Sequence, residues 1–151
     1  MTFSHDGLRD SLTHLAAPPY FYENLRRELA TAERNHSHFT LIRFQLHNIP
    51  NVDQTPDQDS IYEVAILSFA EIIKSATRAE DLCARLGKGE FTLILKAPLE
   101  VGRSLSRRIL ESWKSKEFSC ESAYVLSEVG ESSLEILNRL DNQELRGASI
   151  S

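Results

Sequence analysis

Cysteine is nearly absent from this chain, which removes one way of building a small protein. Two cysteines, Cys83 and Cys120, among 151 residues cannot make the disulfide framework that small secreted domains lean on, so a reducing, cytoplasmic setting is expected. Long apolar runs are missing too. None approaches the ~20 residues needed to span a bilayer, so no membrane contact is expected. The opening MTFSHDGLRDSLTHL has no basic patch followed by an apolar stretch, so no secretory leader is expected. Positive charge is in deficit: 17 Lys and Arg against 22 Asp and Glu leave a net charge of −5. A general nucleic-acid binder needs a basic surface first, so nucleic acid is not an expected partner. A small anion is still allowed, because a local arginine cluster can oppose the global charge. There is no internal repeat and no low-complexity segment.

What is present is ordinary for a globular protein. The composition is 41% hydrophobic and 26% charged, over a length that suits one domain with a single core. The expected layout is one domain over 1–151, with a lead-in to about residue 17 and a flexible tail from about residue 142. After Pro18 and Pro19, which suit a first helical turn, Tyr22, Leu25, Leu29 and Ala32 share a helical face. FTLIRFQLH then alternates as a strand, with Ile42, Phe44 and Leu46 on one face and Arg43, Gln45 and His47 on the other. NIPNVDQTPDQDS reads as a loop ending in a helix cap at Asp59 or Ser60. Tyr62, Ala65, Ile66, Phe69, Ile72, Ile73 and Ala76 mark a broad apolar helix face. DLCARL and EFTLILK flank GKG as a β-hairpin. Leu105, Ile109 and Trp113 mark a third helix, FSCESAYVL a strand and SSLEILNRLD a last helix. The order α-β-α-β-β-α-β-α predicts an α/β fold: a mixed sheet of about five strands covered by helices.

Two stretches carry more information than their periodicity. RAEDLCARLGKGEF, residues 78–91, and DSLTHL, residues 10–15, with Phe21 beyond it, stand in a fixed order. The chain resembles the GGDEF domain, the diguanylate cyclase fold of bacterial second-messenger signalling, from about Asp10 to Asp141. DSLTHL resembles the family's opening motif D-x-L-T-x-L. The longer stretch resembles R-x-x-D-x-x-x-R-x-G-G-D/E-E-F at Arg78, Asp81, Arg85, Gly87, Glu90 and Phe91.

The resemblance implies that departures fall where catalysis belongs. A working cyclase joins two GTP molecules and holds divalent metal on the triphosphate with carboxylates. The family's acid on the first long strand corresponds to Gln45, and the acid at the third letter of the signature corresponds to Gly89. The signature's second glycine corresponds to Lys88. Glu90 keeps one carboxylate, and His47 replaces another acidic position. The family's guanine-reading Asn and Asp correspond to Asp53 and Glu63, and an aspartate at the first of these can accept but not donate. The resemblance therefore implies an inactive cyclase homologue with no magnesium and no other cofactor.

The same resemblance implies a second site. R-x-x-D before the signature is the family's inhibitory site for its product, cyclic di-GMP, and here it is Arg78 and Asp81. Arg108, with Arg107 beside it, stands where the following helix adds an arginine. Guanidinium groups grip phosphate or the O6/N7 edge of guanine in a forked geometry, and a carboxylate accepts from guanine N1–H and N2–H. A simple surface ion pair of Arg78 with Asp81 or Glu80 explains the same residues. Three functions stay open: a cyclic di-GMP receptor that acts on a signalling protein, with a stacked ligand pair able to bridge two domains; a nucleotide-independent interaction scaffold; and a residual cyclase, which the missing metal acids argue against. Other candidates read as structure. His36 and His38 lack a third metal ligand. Asp53, Asp57 and Asp59 lack the spacing of a calcium loop. Cys83 lies among apolar neighbours, as a core residue does.

Overall fold

A computed structural model of the protein describes residues 4–49 and 58–147. Its elements run α1 (Pro18–Asn35), β1 (Thr40–Asn48), α2 (Gln58–Ala76), β2 (Leu82–Gly87), β3 (Glu90–Leu95), α3 (Leu99–Ser112), β4 (Phe118–Leu126) and α4 (Ser133–Asp141). This is the α-β-α-β-β-α-β-α order that the periodicities predict. The two prolines stand at the first positions of α1, where a missing backbone N–H costs nothing. Asp59 and Ser60 lie inside α2 rather than capping it, because the helix already runs from Gln58.

The four strands form one sheet in the order β2-β3-β1-β4, and every neighbouring pair is antiparallel. The expected sheet was mixed, with about five strands. The difference follows from the crossovers. In β1-α2-β2 and in β3-α3-β4 each helix carries the chain past one intervening strand, so parallel strands never become neighbours. What would be a fifth strand is a single parallel bridge, Ala16 to Ala84. There Ala16 N–H donates to Cys83 O at 3.1 Å and Arg85 N–H donates to Ala16 O at 3.0 Å. At the opposite edge Arg146 exchanges two backbone hydrogen bonds of 2.9 Å with Ser122 on β4. The described part of the expected flexible tail is thus hydrogen-bonded to β4. Each edge strand is thus bridged at one position by a flanking segment, which uses part of its free backbone groups.

Strand alternation sends side chains to two cores. Ile42, Phe44, Leu46, Phe91 and Leu93 meet α2 and α3 on one face. Leu41, Ile94, Ala123 and Val125 meet α1 and α4 on the other. Phe69 of α2 sits at the centre of the first core, its ring 5.4 Å from Phe44, 4.9 Å from Phe91 and 5.7 Å from Trp113. On α1 the buried stripe is Phe21, Leu25, Leu29 and Ala32. Tyr22, expected on that stripe, is 46% exposed. A helix turns about 100° per residue, so Phe21 and Leu25 align four apart and Tyr22 falls beside them. Gly102 lets α3 lie close on β1, since a Cβ there would come 2.7 Å from Thr40 Cγ2.

Helix α4 starts with a reciprocal cap. Ser132 Oγ accepts from Glu135 N–H at 3.2 Å, and Glu135 accepts from Ser132 N–H at 3.0 Å. These bonds, the Ser132 backbone N–H first, hold the Glu135 carboxyl below its ordinary value of 4.5. A depressed folded value means that the cap's contribution is present above pH 4.5 and fades as pH falls through the folded value. Ser132→Ala is expected to cost about 1 kcal/mol, read as a lower urea midpoint at unchanged slope. An unchanged midpoint would mean that α4 does not need its cap.

Candidate functional site

The hairpin between β2 and β3 turns on Lys88 and Gly89, and the protein spends the turn's polar groups internally. Lys88 O accepts from Arg85 Nε at 3.1 Å and Nη2 at 2.8 Å. Gly89 O accepts from Leu46 N–H at 2.8 Å and from Gln45 Nε2 at 3.2 Å. The Arg85 guanidinium is itself fully buried against Asp10, with Nη1 to the two carboxylate oxygens at 3.1 and 3.3 Å. Asp10 Oδ2 also accepts from Thr13 N–H and Oγ1 at 2.8 and 2.7 Å. The opening motif and the signature arginine are therefore one device. Asp10 and Thr13 hold Arg85, and Arg85 holds the turn.

Above that turn the space is filled. Gly89 is buried, and a Cβ placed on it would lie 2.2 Å from Tyr62 Oη and 3.3 Å from Leu46 Cβ. Tyr62 is held by its neighbours: its ring lies 4.9 Å from Phe118, and Lys88 Nζ stands 4.8 Å from its centroid. Partial burial raises the Tyr62 phenol above its ordinary value, so a neutral hydroxyl occupies the place. The φ angles of Gly87 and Gly89 are not positive, so close approach, not turn conformation, is what demands glycine at 89.

Several other polar residues of the cleft contact one another, although Arg43 Nε is buried without a hydrogen-bond partner among the described residues. Glu90 lies opposite Gln45 on β1, and its Oε2 is 3.8 Å from Arg43 Nε. Arg43 Nη2 donates to Gln45 Oε1 at 3.4 Å. His47 Nε2 lies 3.1 Å from Glu121 Oε1, and Lys88 Nζ lies 3.8 Å from Asp59. Glu63 is half-buried on α2, and Phe91 is fully buried against Phe69. Asp53 falls outside the described residues. No three His, Cys, Asp or Glu among the described residues could together hold a metal ion. Sequence reasoning placed Gln45, Lys88, Gly89 and Glu90 together, and Arg43 with Gln45 on one strand face, but missed Tyr62 and the Asp10–Arg85 pair. Tyr62 reads in the sequence as one more apolar helix position, and only the α2–hairpin contact gives it another meaning.

At the other end of β2 the chain is open. Asp81 ties the connection from α2: its Oδ2 accepts from Arg78 N–H at 3.0 Å and its Oδ1 from Lys96 N–H at 3.2 Å. The Arg78 side chain is 83% exposed, and its nearest carboxylate is Glu80 at 3.9 Å. Arg108 lines a groove of about 430 Å³ with Ile72, Ser75 and Ala76 of α2, so it faces the end of the helix from which Arg78 follows. Arg107 does not join them. It points to a different groove, beside Ser122 and Arg146. Other sequence candidates are structural. His36 ends α1 in the left-handed conformation, and His38 Nδ1 meets Ser127 O at 2.8 Å. Burial pushes the Cys83 thiol up to about 12, and Cys120 is likewise raised by burial. Neither thiol is a nucleophile at neutral pH.

The sheet is of the split-βαβ type, with a glycine hairpin joining its second and third strands. Residues 8–130 match the family "Diguanylate cyclase, GGDEF domain", and the chain belongs to that family. It is 29% identical over 119 residues to the probable diguanylate cyclase DgcE of Escherichia coli. It is 26% identical over 109 residues to the diguanylate cyclase DgcS of Shewanella oneidensis. These alignments cover 78% and 72% of this chain, but only 11% and 36% of those proteins. Among solved structures, the fold resembles the coiled coil and GGDEF domain of DgcB from Caulobacter crescentus in complex with c-di-GMP. The TM-score is 0.79 at 21% identity, covering 90% of this chain and 78% of that one. Diguanylate cyclase SiaD of Pseudomonas aeruginosa, solved with its activator SiaC, gives a TM-score of 0.77 at 24% identity, over 88% of this chain and 55% of that one. At these identities the structural likeness speaks for the fold. Among the described residues no helix is long and apolar enough to cross a membrane.

Proposed function

We propose that this domain makes no cyclic di-GMP and instead binds it, in the cytoplasm, through Arg78, Asp81 and Arg108. The observation that carries this reading is a contrast between the two ends of β2. The cleft over the hairpin is occupied by the protein's own side chains, whereas Arg78 is exposed with no carboxylate of the described residues closer than 3.9 Å. About 20 Å of strand separates the two ends, at ~3.3 Å per residue, so loss of one site leaves the other intact. Arg78 offers a forked donor to guanine O6/N7 or to phosphate. Each Asp81 oxygen accepts one backbone N–H and keeps a lone pair for guanine. Arg108 grips from α3. Bound ligand would bias the position of α3 against the α2–β2 connection, and a partner protein reads that bias. Its strength equals the ligand's differential affinity for the two states.

One observation favours a second reading. Asp81 is already used by two backbone amides, as a purely structural turn residue would be. In that case the domain is a scaffold for protein contacts without nucleotide. Calorimetry with cyclic di-GMP separates the two. Saturable micromolar binding that weakens tenfold or more in Arg78→Ala and in Arg108→Ala, with no turnover of GTP and magnesium, supports the receptor. Absence of binding to the unmodified protein leaves the scaffold, and turnover of GTP overturns both.

A further inference from the structure

The groove that takes Arg107 is built from three parts of the chain. Arg103 and Arg107 stand on α3, Ser122 and Tyr124 on β4, and Arg146 on the segment after α4 that is bridged to Ser122. Its volume is about 360 Å³. Three arginines and one glutamate, Glu144, line it, in a chain whose net charge is −5. Arg146 is partly neutralised by Glu144 at 3.2 Å. Arg103 and Arg107 have no carboxylate partner among the described residues, although they stand one helical turn apart on α3. Like charges at that spacing repel.

A second observation points the same way from the floor of the groove. Ser106 and Ser122, 2% and 4% exposed, face each other with their hydroxyl oxygens 2.5 Å apart. Two hydroxyls carry two protons, and one hydrogen bond uses one of them. The other proton has no acceptor among the described residues. A buried donor without an acceptor is unfavourable, and an oxyanion in the groove would satisfy it. Arginines at the rim and a spare hydroxyl proton at the floor are complementary to a tetrahedral oxyanion. The volume exceeds what a bare phosphate needs and suits a mononucleotide, with Leu110, Ala123 and Tyr124 as apolar wall.

We propose that the groove between α3, β4 and the C-terminal segment is a binding site for a phosphorylated ligand of mononucleotide size, held by Arg103, Arg107, Arg146 and the Ser106–Ser122 pair. It is separate from the Arg78–Asp81–Arg108 site, because neighbouring arginines of α3 face different grooves. A ligand here would also pin the C-terminal segment onto β4, coupling occupancy to whatever that segment contacts.

The test is calorimetry on the whole chain in EDTA, with inorganic pyrophosphate, GDP and ADP as probes. Saturable binding is expected. It should weaken tenfold or more in Arg103→Ala/Arg107→Ala, stay unchanged in Arg78→Ala, and fall as salt rises. Pyrophosphate binding as tightly as GDP would assign the affinity to the phosphoryl group, and tighter binding of GDP or ADP would assign part of it to the base. Amide shift mapping on the unmodified protein should centre on Ser106, Ser122 and Arg146. No saturable heat up to millimolar probe, full binding by the double variant, or shifts centred on Lys88 would overturn the site. Cyclic di-GMP binding and its loss in Arg78→Ala are read separately, so either site can fail alone.

Discussion

Asp10→Ala is expected to lower the unfolding free energy by about 3–5 kcal/mol. The residue lies far from the hairpin in sequence, yet its carboxylate pairs with the Arg85 guanidinium at 3.1 Å, and both side chains are 0% exposed. Removing the anion takes a carboxylate partner from a fully buried guanidinium, and also strips Thr13 N–H and Oγ1 of their acceptor. That is a large part of the ~5–15 kcal/mol that holds a domain of this size together. Arg85→Met should cost less than Asp10→Ala plus its own apolar repacking would suggest, because an unpaired buried carboxylate can take up a proton. Asp10→Leu/Arg85→Met should be milder than the sum of the single changes. Urea unfolding of the four proteins checks this. A cost under 1 kcal/mol for Asp10→Ala would sink the idea that the two motifs act as one pin.

On the proposed function, Gly89→Asp, which places a carboxylate at the third letter of the signature, should not confer synthesis of cyclic di-GMP, alone or with Gln45→Asp. The new Cβ would lie 2.2 Å from Tyr62 Oη, and the ring cannot retreat freely between Phe118 and Lys88. Gly89→Ala isolates the steric part, since φ at 89 is not positive and alanine meets no backbone strain there. It should cost about 1–3 kcal/mol, as other overpacked sites do. Tyr62→Phe removes the closest atom and leaves Cζ at 3.2 Å, so it should return part of that loss, and Tyr62→Ala more of it. A double-mutant cycle between 62 and 89 should show coupling above about 0.5 kcal/mol. Tolerance of Gly89→Ala at no cost, or turnover of GTP by the double acid variant, would show that Tyr62 is no obstacle.

The element order was legible because α1 and α3 keep apolar residues at helical spacing and β1 alternates cleanly. Ile42, Phe44 and Leu46 do face one core, and Arg43 and Gln45 do face away. Neighbour relations in the sheet were not legible. Hydrophobic alternation says which side of a strand is buried and nothing about which strand lies beside it. The parallel neighbours implied by alternating helices and strands were replaced by antiparallel ones, because each crossover skips a strand. The stretch NQELRGASIS has no periodicity. A single bridge at Arg146, sharing two hydrogen bonds with Ser122, needs none.

The candidate sites divide in the same way. Residue types are read directly: the amide at 45 and the hydrogen at 89, where the resemblance implies carboxylates, are visible without coordinates. The resemblance to the family is carried by DSLTHL and RAEDLCARLGKGEF, and the family match over residues 8–130 shows membership. Three things needed the tertiary structure. Tyr62 fills the space over Gly89, Asp10 finds Arg85 across 75 residues, and Arg107 parts from Arg108 into another groove. The physical reason is common to all three. Spacing along a chain sets the direction of a side chain on its own element. What that side chain meets is set by how elements pack, and one helical step of about 100° is enough to send adjacent arginines to different partners.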